Sequence, residues 1–174
     1  MDNSKKLKIM AMNALLASVS LCLSIISSYL PIPFLPVLKI DLSDFPIFMS
    51  TLLFNSFLGH LILFIVALLK SIFFSSTGWC GFAMRMVNIV AIFFLKLYKS
   101  DNKKIIFCFV LATIFPVFIK LIMNFLFLTK IYFMPEESAK SIILKVVLPY
   151  NLIKQVVNLT LAFIFTKKLE YENR

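Results

Sequence analysis

Apolar runs separated by short polar breaks set the rhythm of this chain. Lys5, Lys6 and Lys8 precede the first run, about residues 9–30, which is long enough to cross a hydrocarbon core that needs about 20 residues. That run passes into Tyr29–Pro46, YLPIPFLPVLKIDLSDFP, with four prolines, one lysine and two aspartates. Proline fixes φ and lacks an N–H, so the helix cannot continue, and the stretch predicts a braced loop. The next apolar stretch, 45–76, is interrupted by Asn55, Ser56, Gly59 and His60. It is too long for one ordinary span and short for two. The pattern predicts two short helices, about 46–58 and 60–75, turning near Gly59, with one long tilted helix as the alternative. Thr77 to Gly81 reads as a loop with Trp79 at the interface. Further helices are predicted at about 82–98, 105–129 and 142–166, separated by a basic loop at 96–104 and a polar stretch from Thr129 to Ser141. The whole chain, 1–174, is thus predicted to be one all-α integral membrane domain of six helices, with a structured outward-facing loop between the first two.

Composition strengthens the membrane reading. The chain is 61% hydrophobic, only 15% charged, and has a mean hydropathy of +0.97, where a soluble domain is about half apolar. No A-x-A-like cleavage site ends the first run, so it reads as a span and not a secretory signal. The net charge of +10 would suggest nucleic acid in a soluble protein. Here the lysines gather at the ends of apolar runs, which fits topology signals and anionic lipid headgroups, so no nucleic-acid partner is expected. Six spans collect the N-terminal lysines, the 96–104 loop and Lys167-Lys168 on one side. The more basic side faces the cytoplasm, so both termini are expected there, in a multi-pass plasma-membrane protein. Five spans would separate those basic ends. Cys22, Cys80 and Cys108 lie in different apolar runs and read as small membrane-core residues.

The polar exceptions inside the runs carry the candidate chemistry. A charge at the bilayer centre costs about 3 kcal/mol on insertion scales, so such residues usually have a task. Asn151, Lys154, Gln155 and Asn158 have offsets of 0, 3, 4 and 7 and share one helical face. Lys120 and Asn124 are four apart, Arg85 and Asn88 three apart, and Lys70 closes its run. In the topology above these groups fall in or near the outward half. They predict either polar glue between helices, partly neutralised by Asp41 and Asp44, or an outward-open cavity for a polar, partly aromatic solute. The stripe favours the cavity. Phe and Tyr could supply stacking faces, although 20 Phe in a membrane chain need no such role. In the first run, Ala14 and Ser18 form a small-xxx-small pair with Ala17 on an adjoining face, which suits packing within the chain or docking to another subunit, and spacing alone favours the packing. The single histidine, His60, has no carboxylate or cysteine in sequence reach with which to build a catalytic or metal site, and no hydrolase, zinc-protease or Walker motif is present. No catalytic residue, metal or cofactor is expected. ATP hydrolysis, if transport needs it, falls to other subunits.

On these residues the chain resembles the substrate-binding (S) components of energy-coupling factor (ECF) vitamin transporters, in particular the riboflavin-specific branch. The carriers are Pro-Ile-Pro-Phe-Leu-Pro with Leu-Lys-Ile-Asp-Leu-Ser-Asp-Phe-Pro at 31–46, Leu68-Leu69-Lys70, Asn124, and Leu-Pro-Tyr-Asn-Leu-Ile-Lys at 148–154. The resemblance implies a six-helix binder that captures riboflavin from outside and associates with a membrane scaffold subunit and two cytoplasmic ATPases. Asn124, Asn151 and Lys154 would address the polar edge of the ring. Asp41, Ser43 and Asp44 would lid the site or touch the ribityl hydroxyls, with Lys70 beside them. Ala14, Ala17 and Ser18 would form the docking face. The chain departs from the family at Phe54-Asn55-Ser56, where a Phe-Gly-Pro turn is common, and at Arg85, which suits a more anionic guest such as a flavin phosphate or another vitamin. A membrane assembly protein without transport is the reading from another class.

Overall fold

A computed structural model describes residues 3–28, 31–32, 35–39, 41–54, 56–73, 78–100 and 105–172. Helix α1, Asn3–Ser28, leads into a small antiparallel hairpin, β1 Pro31–Ile32 and β2 Leu35–Lys39. Prolines at the rim of a two-stranded ribbon are tolerated because edge positions need no paired N–H. The braced loop therefore holds the only strands among the described residues. Helices α2, Phe45–Leu53, and α3, Ser56–Phe73, follow. Then come α4, Gly78–Met86, and α5, Asn88–Ser100, joined through a break at Val87. Helix α6, Ile105–Leu126, ends in a π-helical turn at Phe127–Ile131. A last rod runs from α7, Glu136–Ile142, through a second π-helical turn, Ile143–Val147, into α8, Leu148–Glu172.

Several sequence expectations are corrected. The second helix ends at Leu53 and the third begins at Ser56, so the break lies before Gly59 and not at it. Gly59 lies inside α3, where the missing side chain lets the helix press against Thr51 of α2. Gly78 to Gly81 open α4 and are not a loop; Gly78, at φ +51°, starts it from a backbone shape that favours glycine. Thr129 to Ser141 is mostly helical, broken near Phe133, which has φ +52°. Asn55, Thr77 and the 101–104 part of the basic loop lie outside the described residues.

Among the described residues four helical segments are long and apolar enough to cross a membrane: 3–27, 78–97, 106–131 and 136–169. The core between them is apolar, centred on Ile47, Phe48, Leu63, Val66, Ile92 and Leu159. The outside is apolar too: Phe57, Phe93, Phe118 and Ile153 are exposed. A surface of that kind fits lipid and not water. Helix α1 shows the division clearly. Asn13, Leu16, Ser20, Ser24 and Ser27 are buried at helical spacing, while Ala14 and Ser18 are exposed and Ala17 is half-buried against the core.

Candidate functional site

The stretch Asp41–Asp44 is where the helices' polar faces converge. Ser43 turns the chain: its backbone N–H donates to Asp41 Oδ1 at 3.1 Å and its hydroxyl donates to the same oxygen. This local bonding lets a short polar residue stand in for a backbone turn. Helix α1 ties the turn down, since Ser20 Oγ donates to the Ser43 carbonyl. Asp44 then precedes α2, with Pro46 in the first turn, where proline's missing N–H costs nothing.

Two carboxylates meet three cations from three different helices. Asp41 Oδ2 lies 2.9 Å from Lys154 Nζ of α8 and 3.3 Å from Lys70 Nζ of α3. Asp44 lies 3.1 Å from Arg85 Nη2 of α4 and 3.4 Å from Lys154 Nζ. Arg85 also donates to Ser24 Oγ at 3.2 Å and to the Ser43 hydroxyl. Asp44 is almost fully buried, at 1% exposure. Burial alone would raise the Asp41 carboxyl, yet Lys154, Arg85, Lys70 and the Ser43 hydroxyl together hold it well below the usual range. Burial likewise works against Asp44, and Lys154 and Arg85 outweigh it. Both groups are therefore ionised at neutral pH, and the cluster acts as a charged strap across α3, α4 and α8.

Beside the strap is a cavity of about 220 Å³, lined in part by Asp41, Asp44, Lys70, Asn151 and Lys154. Five of the sequence-predicted contact residues thus share one space. Ser43 is fully buried in the turn and supports Asp41 and Arg85 without lining the cavity. Asn124 is not among the lining residues; its amide donates back to the Lys120 carbonyl one turn earlier. The α8 stripe divides by function. Asn151 and Lys154 reach the cavity, whereas Gln155 donates to the Ala112 carbonyl of α6 and Asn158 to the Asp41 carbonyl. Cavity and glue, posed as alternatives by the sequence, coexist on one face.

Arg85, Asn88 and Lys120 also line the cavity. The sequence flagged all three as intramembrane polar groups, setting Arg85 beside Asn88 and Lys120 beside Asn124 by spacing, but it gave neither Asp44 as the partner of Arg85 nor Asn88 as that of Lys120. Arg85 proves to be the counter-ion of Asp44, so it is committed before any guest arrives. The described lining contains no aromatic side chain, so no Phe among the described residues supplies a stacking face there.

Comparison with known proteins gives a consistent picture. The family model of the substrate-specific component of ECF transporters matches residues 8–165. The riboflavin transporter RibU of Staphylococcus aureus (strain TCH60) is 30% identical over 176 residues, covering 94% of this chain and 89% of the relative. The solved structure of the S component of a bacterial ECF transporter is similar at a TM-score of 0.79 and 25% identity, covering 97% of this chain and 99% of that one.

Proposed function

The chain belongs to the substrate-specific component family of ECF transporters, and from that premise we propose that it captures riboflavin at the outer face of the plasma membrane. The observation that carries this reading is the strapped cavity: Asn151 and Lys154 face a space closed by a loop whose Asp41 holds Lys154 at 2.9 Å. The riboflavin transporter of Staphylococcus aureus, alike along nearly the whole chain, supplies the guest's identity. Sites for small molecules span roughly 300–1,000 Å³, more than the cavity's 220 Å³. Admission of a flavin then requires the Asp41–Asp44 strap to move outward. Its links to Lys70 and Lys154 are the ones a guest would exchange. Asn124, one turn beyond Lys120, would join the contacts only in such an opened arrangement.

The same reading places six spans in the membrane, with both termini in the cytoplasm and the strap outside. The groups lining the cavity fit it, since they come from the end of α3, from α4 and the start of α5, from the second half of α6 and from the beginning of α8. An up-and-down path puts those ends on one side. The protein would itself hydrolyse nothing. A membrane scaffold subunit and two cytoplasmic ATPases would drive release. The exposed Ala14–Ser18 face of α1, edged by Ala17, would dock the scaffold, because small side chains let helices approach closely in lipid.

Purification with a spectrum taken before any ligand is added tests the capture. Protein from cells grown with riboflavin is expected to carry yellow flavin absorbance, and colourless protein that also fails to bind added riboflavin would refute the proposal. The double variant Ala14→Leu/Ser18→Leu is expected to keep that flavin while whole-cell uptake falls about tenfold. Unimpaired uptake would remove the docking role from this face.

A further inference from the structure

Lys120 and Asn88 stand out because the strap does not use them. The cavity is lined by four cations, Lys70, Arg85, Lys120 and Lys154, and two carboxylates, Asp41 and Asp44. Every cation but one has a carboxylate within ion-pair distance. The exception among the described residues is Lys120, which is 5% exposed on α6. Its ammonium donates to Asn88 Oδ1 at 2.7 Å and to Gln155 Oε1 at 3.5 Å. An ammonium has three protons to give, so one remains. Asn88, 1% exposed on α5, uses its oxygen on Lys120 and leaves Nδ2 without any partner. Buried donors are satisfied in the great majority of proteins, and an unbalanced buried charge costs several kcal/mol. Asp44 and Arg85 also keep atoms without hydrogen bonds, but those two groups neutralise each other as an ion pair. At Lys120 and Asn88 a whole charge, an ammonium proton and an amide donor are left over, on residues that face an open space.

We propose that Lys120 and Asn88 form a second donor pair, on the α5–α6 side of the cavity, which grips an electron-rich, acceptor-only part of the guest. Two adjacent donors backed by a positive charge suit a carbonyl edge of a heteroaromatic ring or an anionic group such as a phosphate. The inference deepens the riboflavin reading and rests on it. A flavin ring offers carbonyl oxygens and unprotonated ring nitrogens, and a flavin phosphate adds the anion. Lys120 then sets specificity, and Asn88 both orients it and adds its own donor. Binding delivers the acceptor that the empty cavity lacks, so affinity depends on these residues more than resting stability does.

The test compares wild-type protein with Asn88→Asp and Lys120→Gln, titrated with riboflavin and with flavin mononucleotide, alongside melting of each unliganded protein. Asn88→Asp is the sharper variant. It keeps an acceptor for Lys120, supplies the missing counter-charge, and removes the free donor. It is expected to melt at or above the wild-type temperature while binding about ten- to a hundredfold more weakly, the scale of a hydrogen bond to a charged group. Lys120→Gln is expected to weaken binding to a similar degree. Equal losses for both ligands assign the pair to the ring edge, and a larger loss for the mononucleotide assigns it to the phosphate; both support the pair. Wild-type-like affinity in both variants overturns it while leaving the riboflavin reading intact. Unfolding of both variants also overturns it, because the two groups would then serve the fold. Wild-type protein that binds neither ligand defeats the riboflavin reading and this inference with it.

Discussion

Lys154→Met is expected to abolish high-affinity capture and to cost about 3–5 kcal/mol of stability, the scale for removing one partner of a buried ion pair. The reason is that Lys154 is shared. Its ammonium serves Asp41 at 2.9 Å and Asp44 at 3.4 Å, while Lys70 reaches only Asp41 and Arg85 only Asp44. Without it, two carboxylates close together lose their common counter-ion. Asp44 suffers most, because neither of its oxygens has a well-formed hydrogen bond and water does not reach it. Lys154→Arg, which keeps the charge with a different shape, is expected to recover most of the stability and only part of the affinity. Adding Asp41→Asn to Lys154→Met is expected to be milder than the sum of the single changes, since groups in one network are not additive. Thermal melting and flavin titration check all three. A Lys154→Met protein that melts as the wild type does and binds flavin within about threefold would contradict the shared-counter-ion account.

The division between what could be read in the chain and what could not follows from the range of each signal. The apolar runs and the four-residue spacings are local, so most of the helical runs, the α8 stripe and the spacing of the Ala14–Ser18 pair were legible, but not some helix ends or the side to which that pair faces. The loop's two aspartates were legible as counter-charges, but not their partners. Asp41 meets Lys154 across 113 positions of chain, and that pairing depends on how the rods lie together. Arg85 shows the limit best. Alone on its helix it suggests an anionic guest; against Asp44 it is already neutralised. The inward face of α1 escaped the sequence for a related reason. Spacing separates the Ala14–Ser18 pair from Ala17 but does not say which face turns in; Ser20 and Ser24 turn inward to Ser43 and Arg85 while Ala14 and Ser18 turn out. Glycine misled as well. In a loop-poor chain Gly59 looked like a turn, because a close approach between helices leaves no trace in the spacing of one helix alone.

That close approach makes Gly59→Leu the second severe change, with an expected loss of about 3 kcal/mol, the upper end of what overpacking costs. A Cβ at position 59 would sit 2.0 Å from Thr51 Oγ1, 3.2 Å from Thr51 Cβ and 3.5 Å from the Ile47 carbonyl oxygen. Thr51 cannot turn away freely, since it is 1% exposed and its hydroxyl donates to the Ile47 carbonyl at 3.1 Å. Helix α3 must then move off α2. The site feels the shift, because α2 begins at Asp44 and is held to α1 by Ser50 donating to Asn13. The milder Gly59→Ala gives the sharper comparison. At an open helix position alanine is favoured over glycine by about 1 kcal/mol, so a fall in melting temperature is the signature of the clash. Thr51→Ala removes the obstructing oxygen, and the double variant Gly59→Ala/Thr51→Ala is expected to melt well above Gly59→Ala alone and to regain flavin affinity with it. A rise in melting temperature for the single Gly59→Ala change would show that α2 and α3 do not meet at this residue, and that Asp44 is positioned by something other than their contact.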